Sequence, residues 1–267
     1  DPLRRAPPQP HARSIAFRHQ YTVMPVLGFS FARLFGLLDE VAAGLVLIGA
    51  CPGGVASNVM AFLARANVPL SVTMTACSTL LSPLMTPLAM KLLAGRYVPI
   101  AALPMMGSIL KMVILPLVVG ILVHRYLPRL AARLVKVLPL LAMVSIALII
   151  AITLALSRDD LVRVGLALFG AAACHNAAGY LLGFHAARML RLSGSDCRTV
   201  ALEVGMQNGG MATGLAFDVL QSARAAMGSA TFGPWSAITA SVLASWWRRE
   251  PADGTGPEKD ETPREET

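Results

Sequence analysis

The chain has 267 residues, of which 55% are hydrophobic and only 14% charged. Soluble domains carry about 25% charged residues, so this composition excludes an ordinary soluble domain and indicates an integral membrane protein whose main partner is the lipid bilayer. The net charge of +8 comes from basic residues in loops and tails rather than from a basic face, so no nucleic-acid partner is expected.

The two ends differ in composition from the rest. Residues 1–15 are basic and proline-rich and have no apolar signal segment, so we interpret them as a fragment boundary, with a piece of a transit peptide as the alternative. Residues 248–267 are rich in Asp, Glu, Pro and Gly, and we expect them to form a disordered cytoplasmic tail.

Between the ends, eight apolar segments reach the length of about 20 residues that a bilayer-spanning helix needs. They run over residues 16–36, 40–65, 69–94, 101–124, 134–157, 161–187, 196–221 and 226–247. The sequence therefore predicts an all-α, polytopic membrane protein with about eight transmembrane helices.

Two of these segments are interrupted by polar, glycine-rich sequences. The first reads CPGGVASN (residues 51–58) with a predicted break at 51–55, and the second reads EVGMQNGG (residues 203–210) with a predicted break near 208–210. Lipid offers no partners to the N–H and C=O groups that a break exposes, so breaks persist only where protein or a polar cavity surrounds them. Two matching breaks indicate the binding site of a secondary transporter.

The segments also form an inverted repeat. Residues 16–98 and 159–247 each contain an unbroken, a broken and an unbroken helix, and two plain helices over 99–158 separate these core units. The second unit is preceded by two helices and the first by none, so we infer that two N-terminal helices are absent from this chain. Basic residues cluster in alternate loops, including the stretch from Arg125 to Lys136, which predicts that this loop and both chain ends are cytoplasmic.

Glu203 is the most informative single residue. An acid at the centre of a bilayer costs about 2.5–3.5 kcal/mol and needs a partner, so Glu203 is either functional or paired with a base such as Arg198. Gln207 and Asn208 lie about one helical turn further on, and the break frees backbone carbonyls. Oxygen donors around a carboxylate describe a site for an alkali cation.

Further polar residues accompany both breaks. Ser57 and Asn58 at the first break, and Ser71 and Thr75 at i,i+4 spacing, offer the same oxygen chemistry or, alternatively, interhelical hydrogen bonds worth about 0.6 kcal/mol each. Gln20 either joins this site or lies at the membrane interface.

The glycines of the two breaks allow close backbone approach and open the N-termini of half-helices, which hold an anion without a buried base. We therefore expect an organic anion at five residues, namely Gly53, Gly54, Asn208, Gly209 and Gly210. The four cysteines are scattered singly, and no CxxC or HExxH motif occurs, so we expect no cofactor.

Five motifs resemble those of the bile acid:sodium symporter family, which includes plastid and bacterial organic-anion carriers. They are QYTVMP (20–25), GACPGGVASN (49–58), LSVTMT (70–75), HNAAGY (175–180) and EVGMQN (203–208). The resemblance implies ten helices, arranged as a core of two crossed broken-helix units and a four-helix panel of which residues 99–158 are the remaining half. The family commonly has serine where this chain has Gly209.

The resemblance also implies two sodium sites and a substrate site by the crossover, between core and panel. The first sodium site would use Ser57, Asn58, Ser71, Thr75 and Glu203. The second would use Gln20, Glu203, Gln207 and the backbone carbonyls of Val204 and Met206.

We therefore predict a multi-pass carrier of the plasma membrane or plastid envelope, and not an enzyme. It would couple sodium to the symport of an organic anion (a bile acid, steroid conjugate or small carboxylate) by alternating access. The alternatives are a truncated pseudotransporter or receptor, and an intramembrane enzyme that uses Glu203 with His175 as acid and base.

Overall fold

The structure is a computed structural model that describes residues 19–249, so the predictions for residues 1–18 and 250–267 lie outside the described residues. A π-helical turn at His19–Val23 leads into ten α-helices. These are α1 (Met24–Leu34), α2 (Asp39–Ala50), α3 (Ala56–Leu63), α4 (Val68–Leu93), α5 (Ala102–Tyr126), α6 (Pro128–Leu156), α7 (Arg158–Met189), α8 (Gly194–Gly205), α9 (Gly209–Asp218) and α10 (Ala223–Trp247). No strand occurs in this part of the chain, and the all-α, polytopic class is confirmed.

Fewer helices than the predicted eight are long and apolar enough to span a bilayer by themselves. Within residues 19–249, α5, α7 and α4 with its 3₁₀ extension meet both conditions, and α6 meets them as a pair of segments bent by 44° between Leu138 and Leu140. The halves of the broken segments are too short, because even the 12 residues of α2 rise only about 18 Å. Helix α10 is long enough at 25 residues, but many of its side chains are small or hydroxylated and face the protein interior rather than lipid.

The core is centred on α2, whose residues 41–50 are all buried. It packs between α1 and α10, and α8 packs against α7. Small residues permit this closeness, since a Cβ added to Gly44 would lie 2.0 Å from the carbonyl oxygen of Ala225. By contrast, α5 and α6 have mostly exposed apolar side chains and lie beside this core.

Polar contacts tie the two repeat units together at both ends of the core. At one end, Arg224 of α10 pairs with Asp160 of α7 at 2.6 Å and with Glu40 of α2 at 3.5 Å. At the other end, the Asn67 side chain before α4 donates to Asp196 of α8 at 2.8 Å. The broken helices are therefore held within one packed body rather than standing separately in the bilayer.

Candidate functional site

The two breaks meet and satisfy each other's backbone groups. Gly53 and Gln207 form an isolated antiparallel bridge. The Gly54 N–H donates to the Met206 carbonyl at 3.2 Å, and the Asn208 N–H donates to the Pro52 carbonyl at 2.9 Å. The crossed arrangement thus supplies from protein the partners that lipid could not provide.

The position of the second break differs from the prediction. Helix α8 ends at Gly205, and α9 already begins at Gly209, so the break covers residues 206–208 rather than 208–210. The reason is a cap, because the Asn208 side chain accepts a hydrogen bond from the Met211 N–H at 3.0 Å. Gly209 and Gly210 consequently form the first turn of α9. The first break covers residues 51–55, between the end of α2 and the start of α3.

Glycine is required where the two breaks touch. A Cβ added to Gly53 would lie 3.0 Å from a carboxylate oxygen of Glu203, and one added to Gly54 would lie 2.9 Å from the Gln207 carbonyl oxygen. The Gln207 carbonyl is backbone, so a larger residue at Gly54 would push the two broken helices apart. A larger residue at Gly53 would instead displace the Glu203 carboxylate from its hydroxyl partners.

Glu203 lies beside this crossing and is 97% buried. Its carboxylate accepts hydrogen bonds from the hydroxyls of Ser57, Ser71 and Thr75, the last at 2.8 Å. The Asn58 amide oxygen completes the cluster, because it lies 2.8 Å from the Ser71 hydroxyl and 3.3 Å from the Thr75 hydroxyl, and each hydroxyl has one proton to share between Asn58 and Glu203. The structure thus brings together the five residues assigned by resemblance to the first sodium site.

The residues assigned to the second sodium site form an adjoining cluster. The Gln20 amide donates to the Gln207 side-chain oxygen and to the Cys51 carbonyl, both at 2.5 Å. The Gln207 amide donates to the Val204 carbonyl at 2.7 Å, while the Met206 carbonyl accepts from Gly54. Each of these two carbonyls keeps a second lone pair for another donor or a cation.

The predicted alternative partner of Glu203 lies elsewhere. Arg198 donates from Nη1 to the Trp247 carbonyl at 3.0 Å. Among residues 19–249, the hydrogen-bond donors to the Glu203 carboxylate are the three hydroxyls, and no ion pair joins it to Arg198. The described residues therefore leave the carboxylate without a cationic side chain beside it.

The acid–base pair required by the enzyme alternative is not assembled. His175 is fully buried, its Nε2 is 2.9 Å from the Met24 carbonyl oxygen, and its ring lies 5.4 Å from that of Phe232. The side chains that contact Glu203 come from α3 and α4 instead. His175 therefore packs α7 against α1 and α10.

The sequence did not reveal which backbone groups the polar side chains outside the site support. Asn176 of α7 donates to the carbonyl of Gly205, the last residue of α8, at 2.9 Å, and Thr239 donates to Asn176 at 2.8 Å. Thr86 of α4 donates to the carbonyl of Ala50, the last residue of α2, at 2.7 Å. A polar residue in an otherwise apolar segment was the available signal, but its partner depends on tertiary packing.

A cavity of about 720 Å³ opens beside the crossover. Asn58, Thr75, Asn208 and Gly210 contribute its polar side, and α5 contributes an apolar wall. That wall consists of Met112, Val113 and Leu117. Of the five predicted substrate residues, Asn208 and Gly210 line the cavity, whereas Gly53, Gly54 and Gly209 do not. None of the described residues that line the cavity is basic.

The chain is similar in sequence to known sodium-coupled transporters. The profile of the Sodium Bile acid symporter family matches residues 3–177. An uncharacterized sodium-dependent transporter of Bacillus subtilis, YocS, is 39% identical over 231 residues, which cover 86% of this chain and 72% of that protein. The probable chloroplastic sodium/metabolite cotransporter BASS1 of Arabidopsis thaliana is 35% identical over 249 residues, which cover 93% of this chain and 62% of that protein.

The human ileal sodium/bile acid cotransporter is 32% identical over 204 residues, which cover 75% of this chain and 58% of that protein. The chain thus spans between about three fifths and three quarters of these relatives. Their names are those of membrane transporters and not of enzymes, which confirms the prediction that this chain is not an enzyme. The chain belongs to the sodium bile acid symporter family.

Proposed function

We propose that this protein is a secondary active transporter that couples sodium entry to the symport of an organic anion. The observation that carries the proposal is the buried Glu203 carboxylate, which is surrounded by the oxygens of Ser57, Asn58, Ser71 and Thr75 where two broken helices cross. Hard oxygen ligands at interrupted helices are the usual environment of coupling ions in secondary transporters. The relatives' names, which include sodium-dependent transporters, support sodium as that ion.

Charge balance supports a monovalent anion as the second substrate. Two sodium ions beside one ionised Glu203 leave one positive charge, and burying an uncompensated ion is costly. An anion at the crossover neutralises that charge. Sodium and anion should therefore bind cooperatively, and each transport cycle should move one net positive charge across the membrane.

The cavity supports a substrate with a charged end and an apolar body. Its polar side includes Asn208, which caps the N-terminus of α9, and Asn58 in the first turn of α3. Helix N-termini carry partial positive charge and hold anions without a basic side chain. The apolar wall of α5 then favours bile acids, steroid conjugates or small carboxylates over inorganic anions.

For alternating access, we propose that α5 and α6 move relative to the core. The core is joined by polar contacts at both ends, whereas α5 meets it along α4 and α9. Among residues 19–249, one polar link crosses this boundary, from the Ser108 hydroxyl to Asp218 at 2.6 Å. The plasma membrane or plastid envelope is the proposed location, with the C-terminus on the cytoplasmic or equivalent side.

The proposal is tested by uptake of labelled organic anions into liposomes that contain the complete protein. We expect uptake only under an inward sodium gradient, with a Hill coefficient for sodium of about 2 because two ions bind cooperatively. A gradient of potassium is the control. Equal uptake without sodium, or sodium-dependent anion binding with no uptake, would contradict symport; the second result would favour a receptor.

The first cluster can be tested separately through Thr75. Replacing Thr75 by valine keeps the side-chain shape but removes the hydroxyl that contacts Glu203 and Asn58. A hydrogen bond to a charged group is worth about 1.5–3 kcal/mol, so we expect the sodium concentration for half-maximal uptake to rise about tenfold or more.

Thr73→Val is a matched control for that variant. Both threonine hydroxyls lie close to the carbonyl oxygen four residues earlier, Thr73 at 2.7 Å from Pro69 and Thr75 at 3.1 Å from Ser71, but of the two only Thr75 contacts Glu203. Thr73→Val should leave the sodium dependence unchanged. Equal effects of the two substitutions would mean that Thr75 acts on helix geometry and not on sodium.

A further inference from the structure

A second polar pocket lies away from the crossover, where α3 and α10 end side by side. It has a volume of about 390 Å³ and is lined by Arg65, Ser245, Arg248 and Arg249. Helix α3 ends at Leu63 and α10 at Trp247, so the pocket is at the end of the helix bundle. Neither the sodium clusters nor the cavity beside the crossover uses these residues.

The backbone holds Arg65 in an unusual conformation. Its φ is +52°, a region that few residues other than glycine adopt. The Arg65 N–H donates to the Phe62 carbonyl and the Ala66 N–H to the Ala61 carbonyl, which together close the end of α3. Glycine is the usual residue at this position, and here an arginine occupies it and contributes to the pocket.

The pocket concentrates positive charge that the described residues do not neutralise. Within residues 19–249, no carboxylate lies at ion-pair distance from Arg65, Arg248 or Arg249. Three guanidinium groups around one concavity suit a phosphate group, since each presents several N–H donors in a fixed plane. The Ser245 hydroxyl adds a donor.

The surface next to the pocket is apolar. Phe62, one helical turn before Arg65, is 70% exposed, and Val242, one turn before Ser245, is 64% exposed. Trp246 is 57% exposed, and tryptophan is enriched at the membrane–water interface. A ligand that fits both parts has a phosphate head and hydrocarbon chains.

We infer that this pocket, at the ends of α3 and α10, binds the phosphate headgroup of an anionic membrane lipid. Free phosphate would contact the arginines as a lipid headgroup does, but it would make no contact with the apolar surface. The acidic segment that follows Arg249 in the sequence is also negatively charged, but it has no hydrocarbon chains. The lipid thus accounts for both the basic pocket and its apolar border.

The inference is tested by the quenching of Trp246 and Trp247 fluorescence by brominated lipids. The third tryptophan is removed by the substitution Trp235→Phe in all variants that are compared. We expect dibrominated phosphatidylglycerol to quench in a saturable manner and dibrominated phosphatidylcholine to quench far more weakly. Each of Arg65→Gln, Arg248→Gln and Arg249→Gln should weaken phosphatidylglycerol binding about fivefold, and the triple variant about 100-fold.

Arg191→Gln is the matched control. Arg191 also has a positive φ, +56°, and closes the end of α7 in the same way, but it does not line the pocket. It should leave the lipid affinity within about twofold. Equal quenching by the two lipids, or unchanged binding in the triple variant, would overturn the inference. So would displacement by inorganic phosphate at equal concentration, or lipid binding that occurs only after residues 250–267 are removed.

Discussion

Replacing Glu203 by glutamine is expected to abolish sodium-dependent uptake while the protein still inserts and folds. Glutamine keeps the size of the side chain and one acceptor oxygen for the hydroxyls of Ser57, Ser71 and Thr75, but it removes the negative charge. Leaving a buried ion without its counter-charge costs about 3–5 kcal/mol, so sodium affinity should fall by more than about 100-fold. Uptake in proteoliposomes and direct sodium binding measure the loss.

Asp159→Asn is the matched control for the removal of one negative charge. Asp159 is exposed at the start of α7, and within residues 19–249 no hydrogen bond or ion pair joins it to the sodium clusters. This variant should transport normally. If the Glu203→Gln variant still shows sodium-coupled uptake, Glu203 is not the carboxylate that binds sodium.

The largest effect on folding is expected for Gly44→Ala. The new Cβ would lie 2.0 Å from the carbonyl oxygen of Ala225, a backbone atom that cannot turn aside, and Gly228 lies against the same stretch of α2. Overpacking commonly costs about 1–3 kcal/mol, and this overlap with backbone should cost at least the upper value. Thermal unfolding of the purified protein should therefore begin at a clearly lower temperature.

Gly107→Ala in α5 is the appropriate comparison. A Cβ at Gly107 meets no atom within 4 Å, so the substitution should be neutral or stabilise the helix by up to about 1 kcal/mol. If both variants unfold at the temperature of the original protein, the close contact between α2 and α10 does not hold the core together.

Much of the candidate site could be predicted from local sequence. The first break was expected at residues 51–55 because Pro52 has no N–H to continue the helix and the two glycines after it are weak helix formers; α2 ends at Ala50. Glu203 was recognised because an acid in an apolar segment is costly wherever the segment packs. The location of the second break was less accurate, since Gly209 and Gly210 are compatible with a helix once Asn208 caps it.

Other features required contacts between residues far apart in the chain. Asn176 supports the end of α8 through Gly205, which lies 29 residues later in the chain. Thr239, which lies 63 residues after Asn176, holds the Asn176 side chain in place. The choice between Arg198 and the hydroxyls as partners of Glu203 was open in the sequence, because Arg198 lies little more than a turn away on the same helix. The structure decided it, because Arg198 donates to the Trp247 carbonyl at the far end of α10 while the hydroxyls of α3 and α4 contact Glu203.

The sequence by itself determined the class of this protein, its two broken helices and the acid between them, because hydropathy, glycine and a membrane-buried charge act locally. Tertiary structure decided which oxygens surround that acid, which breaks satisfy each other and where the arginines at the ends of α3 and α10 converge. These depend on how helices distant in sequence pack. A pattern along one chain does not contain those distances, whereas the folded molecule brings Gly53 beside Gln207 and Arg65 beside Arg248.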